Sequence, residues 1–228
     1  YLLMERVEGE PLSDVVERGP LEVNEAARIV RTLADALRAV HAAGILHRDL
    51  KPHNVILRPD GSPTLLDFGL VRDESLERLT KTGVSLGTPA YMSPEQAKGV
   101  RTSELGPQTD VYGLGVILYE LATGEAPFTG SAIDVMRAVI FQDPTRPSDV
   151  HDPVPAELEA ICAVAMAKEP EDRYPTAEAL RADLDRFLAG EAPAALEMGV
   201  YRTPRLRRIL RLAVGLAVIL AVIVVGLS

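Results

Sequence analysis

Charged and amide side chains are concentrated in ILHRDLKPHNVILRPDGSPTLLDFGL, residues 45–70. Asn54 follows Asp49 by five positions, and Asp67 follows Asn54 by thirteen. One carboxylate of such a set can accept a proton, while the amide oxygen and the second carboxylate bind a hard divalent cation such as Mg²⁺. Lys51 adds a positive charge beside Asp49. This combination suits phosphoryl transfer, which depends on positioning and charge neutralisation, although each residue taken alone is better explained by an ion-paired turn.

The segments around this stretch must position its side chains. Residues 24–43 predict one amphipathic helix that ends at Gly44, directly before the charged stretch. Its apolar positions follow the helical repeat at Ile29, Leu33, Leu37 and Val40. The runs NVILR and PTLLD, separated by the turn sequence PDGS, predict a small β-hairpin that ends at Asp67.

The rest of the body is predicted to be mainly helical. DVYGLGVILYELATG is almost entirely apolar, which indicates a central helix. Further helices are predicted in SAIDVMRAVIF, AELEAICAVAMAK and TAEALRADLDRFLAG, with proline-rich connections between them. Residues 2–7 predict a strand and EGEPL a turn, whereas the polar residues 72–88 predict a long exposed loop.

Composition narrows the classes of function. With 228 residues, of which 47% are hydrophobic, the chain can bury a sizeable core. Its net charge of −9 argues against a general nucleic-acid binder, because phosphate contacts need a surplus of basic side chains. The single cysteine, Cys162, lies in a predicted buried helix, where an inert packing thiol is favoured over a reactive one. The lack of a disulfide framework fits a reducing compartment.

The C-terminal end differs from the body. Residues 212–228 contain no charged side chain, and residues 209–228 together would span roughly 25 to 30 Å as a helix. This length favours a transmembrane helix over a buried core helix. The residues directly before the uncharged stretch 212–228 include five arginines and no acid, at positions 202, 205, 207, 208 and 211. Because positive flanks stay in the cytoplasm, the body is expected inside the cell and anything after Ser228 outside.

Three sequence motifs occur in a fixed order in this chain. Together they indicate a protein family far more specifically than any single residue in them does. HRDLKPHN, residues 47–54, matches the catalytic loop of protein kinases, and Asp67-Phe68-Gly69 matches their metal-binding triplet. GTPAYMSPE, residues 87–95, resembles the segment that closes the kinase activation loop, with Ser93 where Ala is more usual. The chain thus resembles bacterial eukaryotic-like (Hanks-type) serine/threonine protein kinases over residues 1–190. The resemblance implies an α+β protein-kinase-like fold, with a mainly α-helical C-terminal lobe and a hinge strand.

The resemblance also implies a role for each residue of the charged stretch. Asp49 is expected to be the catalytic base and Lys51 to stabilise the γ-phosphate of ATP. Asn54 and Asp67 are expected to hold Mg²⁺, for which Mn²⁺ is an alternative. Thr88 resembles the threonine that contacts the catalytic aspartate and lysine, and is therefore assigned to the site.

Regulatory roles follow from the same resemblance. His47 and Phe68, beside Gly69 of the triplet, resemble members of the packed column that reports the active state. Arg48 resembles the arginine whose guanidinium group binds a phosphate on the activation loop. The candidate phosphoacceptors, in order of preference, are Thr82, Thr80 and Ser85. The alternative is that these three are merely solvated loop residues.

Three residues are expected to act structurally. Glu95 resembles the acid that pairs with a distant arginine, and Arg173 stands where that arginine is expected. Asp110 resembles the residue that braces the backbone of the catalytic loop. Removing any of the three should harm folding more than chemistry. The longer VRTSELGPQT before Asp110 is predicted to be a surface insertion.

The N-terminal residues resemble a kinase hinge. Met4 would be the gatekeeper, the backbones of Glu5 and Val7 would meet the adenine edge, and Ile56 would pack beneath it. The printed sequence has no glycine-rich phosphate loop, strand lysine or partner glutamate before this point. A fragment of a longer product is therefore expected, and a natural truncation is the alternative.

The leading hypothesis is an ATP- and Mg²⁺-dependent serine/threonine kinase that autophosphorylates, with a dimer as one option, and modifies cytoplasmic proteins. The expected organisation is a kinase domain at residues 1–190, a basic juxtamembrane linker at 191–208 and a single transmembrane helix at 209–228. This arrangement implies a cell-membrane protein with the lipid bilayer as a partner and no nucleic acid. The alternative is a catalytically inactive pseudokinase or membrane scaffold that binds partner proteins.

Overall fold

The structure, a computed structural model, describes residues 6–67 and 89–198, and these residues are mainly helical. The helices are α1 (Leu12–Val16), α2 (Val23–Ala42), α3 (Pro94–Ala97), α4 (Gln108–Thr123), α5 (Ala132–Phe141), α6 (Pro147–Val150), α7 (Ala156–Ala165) and α8 (Ala177–Leu188). The strands β1 (Glu10–Pro11), β2 (Val55–Leu57) and β3 (Pro63–Leu65) form an antiparallel sheet in that order. The expected helical body with a small sheet is confirmed for these residues.

Helix α4 lies at the centre of the body. Its residues from Thr109 to Thr123 are all buried, as its almost wholly apolar sequence predicts, and α2, α6, α7 and α8 pack around it. Gly113 brings Leu50 of the catalytic loop against this helix, because a Cβ at position 113 would lie only 2.8 Å from the Leu50 Cβ. The catalytic loop is therefore supported directly by the most buried helix.

Helix α2 leads the chain into the catalytic loop. The carboxylate of Glu22 accepts hydrogen bonds from the backbone N–H groups of Asn24 and Glu25, which satisfies two donors at the helix start. Its apolar stripe packs against α4 and α8. After Ala43, Gly44 takes a left-handed conformation with φ 75°, which ends the helix. The prediction of one helix over residues 24–43 is confirmed to within a residue at each end.

The small sheet corrects one prediction. The hairpin of β2 and β3 forms as PDGS predicts, with Ile56 opposite Thr64. However, the strand beside β2 is Glu10–Pro11, where a turn was predicted, and residues 6 and 7 belong to no strand. Proline is tolerated there because β1 lies at the sheet edge and need not donate a hydrogen bond on its outer side.

The end of the described chain packs on the helical body. The buried Asp183 carboxylate accepts hydrogen bonds from the backbone N–H groups of Ala194 and Ala195 and from the Tyr174 hydroxyl, at 2.8 to 2.9 Å. Ala195 is fully buried. Part of the predicted linker 191–208 therefore lies against α7 and α8. Cys162 is buried in α7, and burial raises the pKa of its thiol, as an inert packing residue requires.

Among residues 6–67 and 89–198, no helix combines the length and the apolar character that a membrane span needs. The segment for which a transmembrane helix was predicted, residues 209–228, lies outside the described residues, as do all five arginines at positions 202–211.

Candidate active site

The catalytic loop, residues 47–54, brings a carboxylate, an ammonium group and an amide into contact. The Asp49 Oδ2 accepts hydrogen bonds from Lys51 Nζ at 2.9 Å and from Asn54 Nδ2 at 3.2 Å. A 3₁₀ turn at Pro52–Asn54 returns the chain so that Asn54 can reach Asp49. The Asp49 and Lys51 side chains are about one-fifth exposed. They are therefore held in place while remaining open to a reactant.

The orientation of Asn54 leaves an oxygen for a metal ion. Its Nδ2 also donates to the Asp49 backbone oxygen at 2.8 Å, so both contacts with Asp49 use the nitrogen. The Oδ1 is the oxygen type that Mg²⁺ prefers, and a carboxylate would complete a hard donor set. Asn54 together with Asp67 thus fits Mg²⁺ by its chemistry. Within the described residues, no cluster of three or more His, Cys, Asp or Glu side chains forms a separate metal site.

Two hydrogen bonds join the hairpin to the catalytic loop directly before Asp67. The Leu66 backbone N–H donates to the Asn54 oxygen at 2.8 Å. The Leu66 oxygen accepts from His47 Nε2 at 2.9 Å, while His47 Nδ1 accepts from the Asp49 backbone N–H at 3.3 Å. His47 is fully buried. Its ring therefore connects the backbone of Asp49 to the backbone of Leu66, the residue before Asp67. Asp67 itself is exposed and has a positive φ of 53°, unusual for a residue other than glycine.

Asp110 braces the catalytic loop through backbone donors. Its two oxygens accept from the N–H groups of Arg48 at 2.7 Å and His47 at 2.8 Å. A third donor, His41 Nε2, lies 2.8 Å from Oδ2. Arg48 has φ 64°, a left-handed conformation of the kind that persists where the surroundings hold it. Asp110 thus contacts the backbone of the catalytic loop, and its contact with His41 was not predicted.

Glu95 and Arg173 form a buried two-pronged ion pair. The two guanidinium nitrogens donate to the two carboxylate oxygens at 2.8 and 2.7 Å, and Thr109 Oγ1 also donates to Glu95. Burial alone would raise the pKa of Glu95, but the hydrogen bond and charge of Arg173 hold it below its ordinary value. The Arg173 side chain is fully buried and donates to three backbone oxygens as well, those of Ala167, Gln108 and Lys168. This pair ties α3 to the chain between α7 and α8.

Lys168 is a buried cation next to this pair. Its Nζ donates to the Val139 oxygen at 2.8 Å and lies 4.6 Å from the centre of the Phe128 ring. Burial is the main cause that lowers the pKa of Lys168 to about 7; Arg173 and Lys98 add to the lowering, and Asp143 opposes it. The hydrogen bond and the ring contact therefore offset only part of the cost of burying the charge.

The free energy of unfolding should therefore rise with pH, because the pKa of Lys168 is lower in the folded chain than in the unfolded chain. Between about pH 7 and pH 10 the unfolded chain keeps the lysine proton and the folded chain releases it. The free energy of unfolding of the native protein, relative to Lys168→Met, should increase by up to about 1.4 kcal/mol per pH unit in that window. Urea unfolding of both proteins at several pH values measures this difference. A difference that stays flat or falls with pH would contradict the assignment.

Two further contacts anchor α3 and the segment before it, and neither was predicted. The Tyr91 hydroxyl donates to Glu120 Oε2 of α4 at 2.7 Å, and burial raises the pKa of Glu120. Gln96 Nε2 donates to the Arg48 oxygen at 2.8 Å. The spacing of Ser93 and Gln96 is that of a helix capping box, which is the one local signal that could have drawn attention to Gln96.

Several predicted site residues lie outside the described part of the chain. They are Met4, Glu5, Phe68, Gly69, Thr80, Thr82, Ser85 and Thr88. Of the hinge residues that are described, Val7 is partly exposed and Ile56 lies in the central strand, opposite Pro11 and Thr64. The segment predicted to be an insertion has exposed residues, and its Thr102 oxygen accepts from the Arg48 guanidinium at 3.3 Å.

Comparison with known proteins agrees with this geometry. The family model described as the protein kinase domain matches residues 1–184. Serine/threonine-protein kinase PknL of Mycobacterium tuberculosis is 44% identical over 187 residues, which are 81% of this chain and 46% of that protein. Serine/threonine-protein kinase PknB of the same species is 41% identical over 199 residues, which are 86% of this chain and 31% of that protein. The chain thus spans less than half the length of these curated relatives.

Proposed function

The chain belongs to the protein kinase family, and from this membership we propose that the protein transfers the γ-phosphate of ATP to serine and threonine hydroxyls of protein substrates. The observation that carries the proposal is the Asp49 carboxylate, held 2.9 Å from Lys51 Nζ and 3.2 Å from Asn54 Nδ2 in a partly open loop. The similarity to two proteins described as serine/threonine-protein kinases supports the choice of acceptor.

The residues of the loop would divide the reaction between them. Asp49 would accept the proton of the substrate hydroxyl as its oxygen bonds to phosphorus and the bond to ADP breaks. Lys51 would place its positive charge against the transferring phosphate. Asn54 and Asp67 would hold Mg²⁺, which neutralises phosphate charge when bound. The brace from Asp110 would keep Asp49 in position without reorganisation during the reaction.

Arg48 supports a step that activates the proposed kinase. Its Nε is buried and has no hydrogen-bond acceptor among residues 6–67 and 89–198, while one terminal nitrogen reaches the Thr102 oxygen at 3.3 Å. A phosphate on Thr82, Thr80 or Ser85 would supply a charged acceptor for this guanidinium. The proposal therefore includes autophosphorylation of the segment that follows Asp67, between two copies of the chain if they dimerise.

The proposal also places the protein at the cell membrane. The uncharged residues 212–228 and the five arginines before them support a single-pass anchor with the kinase body in the cytoplasm. The substrates would then be cytoplasmic proteins close to the bilayer.

The proposed function is tested on the full-length gene product that contains these 228 residues. With γ-labelled ATP and Mg²⁺, label should appear on serine or threonine of the protein itself or of an added substrate protein, and EDTA should abolish the transfer. Binding of ATP with Mg²⁺ is followed in parallel by the shift in melting temperature that a ligand produces. Nucleotide binding without any transfer would favour a scaffold, and neither binding nor transfer would refute the proposed function.

A further inference from the structure

The amide of Gln96 connects two parts of the active site that are 48 residues apart in the chain. Its Oε1 accepts from the Ser93 backbone N–H at 2.9 Å, which closes the capping box at the start of α3. Its Nε2 donates to the Arg48 backbone oxygen at 2.8 Å. Both polar atoms of the amide are thus hydrogen-bonded: Oε1 to the residue that precedes α3, and Nε2 to the catalytic loop.

Arg48 is the residue whose backbone sets the direction of Asp49. Its left-handed φ of 64° is unfavourable for a side chain of this size, so external contacts must hold it. Asp110 holds the Arg48 N–H at 2.7 Å, on one side of the Cα. Gln96 holds the Arg48 carbonyl oxygen, which belongs to the peptide group leading into Asp49. The two contacts together fix the backbone on both sides of the Arg48 Cα.

We propose that Gln96 is a positioning residue for Asp49, which it orients through the Arg48–Asp49 peptide, and that it couples this peptide to the placement of α3. The kinetic part of this inference rests on the proposed function. Glu95, the neighbour of Gln96, is fixed by Arg173 at 2.7 and 2.8 Å, so α3 is a rigid base for the contact. A displacement of α3 would release the Arg48 oxygen and allow Asp49 to leave its place beside Lys51.

A matched pair of substitutions separates positioning from helix capping. Gln96→Glu keeps an oxygen for the Ser93 N–H but has no N–H for the Arg48 oxygen. Ser93→Ala removes the hydroxyl that accepts from the Gln96 N–H at 3.3 Å but keeps the Gln96 side chain. Ser93→Ala therefore weakens the start of α3 and keeps the contact with the catalytic loop, whereas Gln96→Glu breaks that contact and keeps the acceptor for the Ser93 N–H. Gln96→Lys restores a donor without the acceptor and serves as the rescue variant.

Two measurements on the full-length gene product test the inference. In Gln96→Glu, kcat should fall about tenfold with the KM for ATP unchanged, since one positioning hydrogen bond is lost. Amide hydrogen exchange of residues 46–54 should become faster in the same variant. Ser93→Ala should leave both readouts at the native level, and Gln96→Lys should recover part of kcat.

The exchange measurement does not depend on catalysis, which keeps the two proposals separable. Faster exchange in Gln96→Glu, in a gene product that transfers no phosphate, would support the positioning contact and refute the proposed function. Native exchange and native kcat in Gln96→Glu, in an active protein, would overturn the positioning role and leave the proposed function standing. Equal losses in Gln96→Glu and Ser93→Ala would also overturn it, because the effect would then not depend on the contact with the Arg48 oxygen.

Discussion

Replacing Asp49 by Asn should lower kcat for phosphate transfer by about 10²–10⁴-fold, because the amide cannot accept the proton of the substrate hydroxyl. The substitution keeps the size of the side chain and an oxygen that can accept from Lys51 and Asn54. The KM for ATP should therefore change little. Steady-state kinetics of the full-length gene product, with ATP and substrate varied separately, measure both constants.

The neighbouring hairpin of β2 and β3 provides a matched control for this substitution. Asp60 is an exposed turn residue whose carboxylate accepts from the N–H and hydroxyl of Ser62, at 2.9 and 2.6 Å. Asp60→Asn makes the same chemical change eleven positions further along the chain and should leave kcat unchanged. Equal effects of the two substitutions would mean that the charge of the segment matters and the position of Asp49 does not.

Replacing Glu95 by Gln should lower the free energy of unfolding by about 3 kcal/mol. The change leaves the Arg173 guanidinium buried without its counter-charge, although Gln keeps one neutral acceptor. The three backbone oxygens that also accept from Arg173 cannot neutralise it. A loss of this size is a large part of the 5–15 kcal/mol that typically holds a domain together. Urea unfolding followed by circular dichroism measures the loss.

A surface ion pair supplies the comparison for Glu95. Glu178 and Arg181 form a similar two-pronged contact on α8, at 2.7 and 3.1 Å, but the Glu178 side chain is 46% exposed. Glu178→Gln should leave the free energy of unfolding nearly unchanged, because solvent screens exposed charges. If Glu95→Gln were equally neutral, burial of the Glu95–Arg173 pair would have no structural importance.

Elements with strong local signals could be predicted from the sequence. Helix α2 has a clear apolar stripe and a terminal glycine, helix α4 is apolar on every side, and PDGS gives the hairpin its turn. The strand Glu10–Pro11 has no such signal, since it exists only by pairing with Leu57 and Ile56 across the fold. The four-residue helices α3 and α6 are too short to display a helical repeat.

The residues of the site likewise fall into those that could be predicted from the sequence and those that could not. The positions of Asp49, Lys51 and Asn54 follow from their spacing within one loop, and the positions of Asp110 and Arg173 were expected from the resemblance. By contrast, His41 reaches Asp110 across 69 residues of sequence, and Gln96 reaches Arg48 across 48. Contacts between residues so far apart depend on how the helices pack around α4, which the sequence spacing does not encode locally.

The most direct test of the central claim is a count of products in a single turnover of the full-length gene product with ATP, Mg²⁺ and an acceptor protein. A site with a base beside a bound phosphate should form one phosphoserine or phosphothreonine for every ADP released. In Asp49→Asn the ratio of phosphorylated residues to released ADP should stay the same, while the rate of phosphate transfer falls. Release of ADP with free phosphate and no phosphorylated hydroxyl, or transfer at the native rate in Asp49→Asn, would contradict the account.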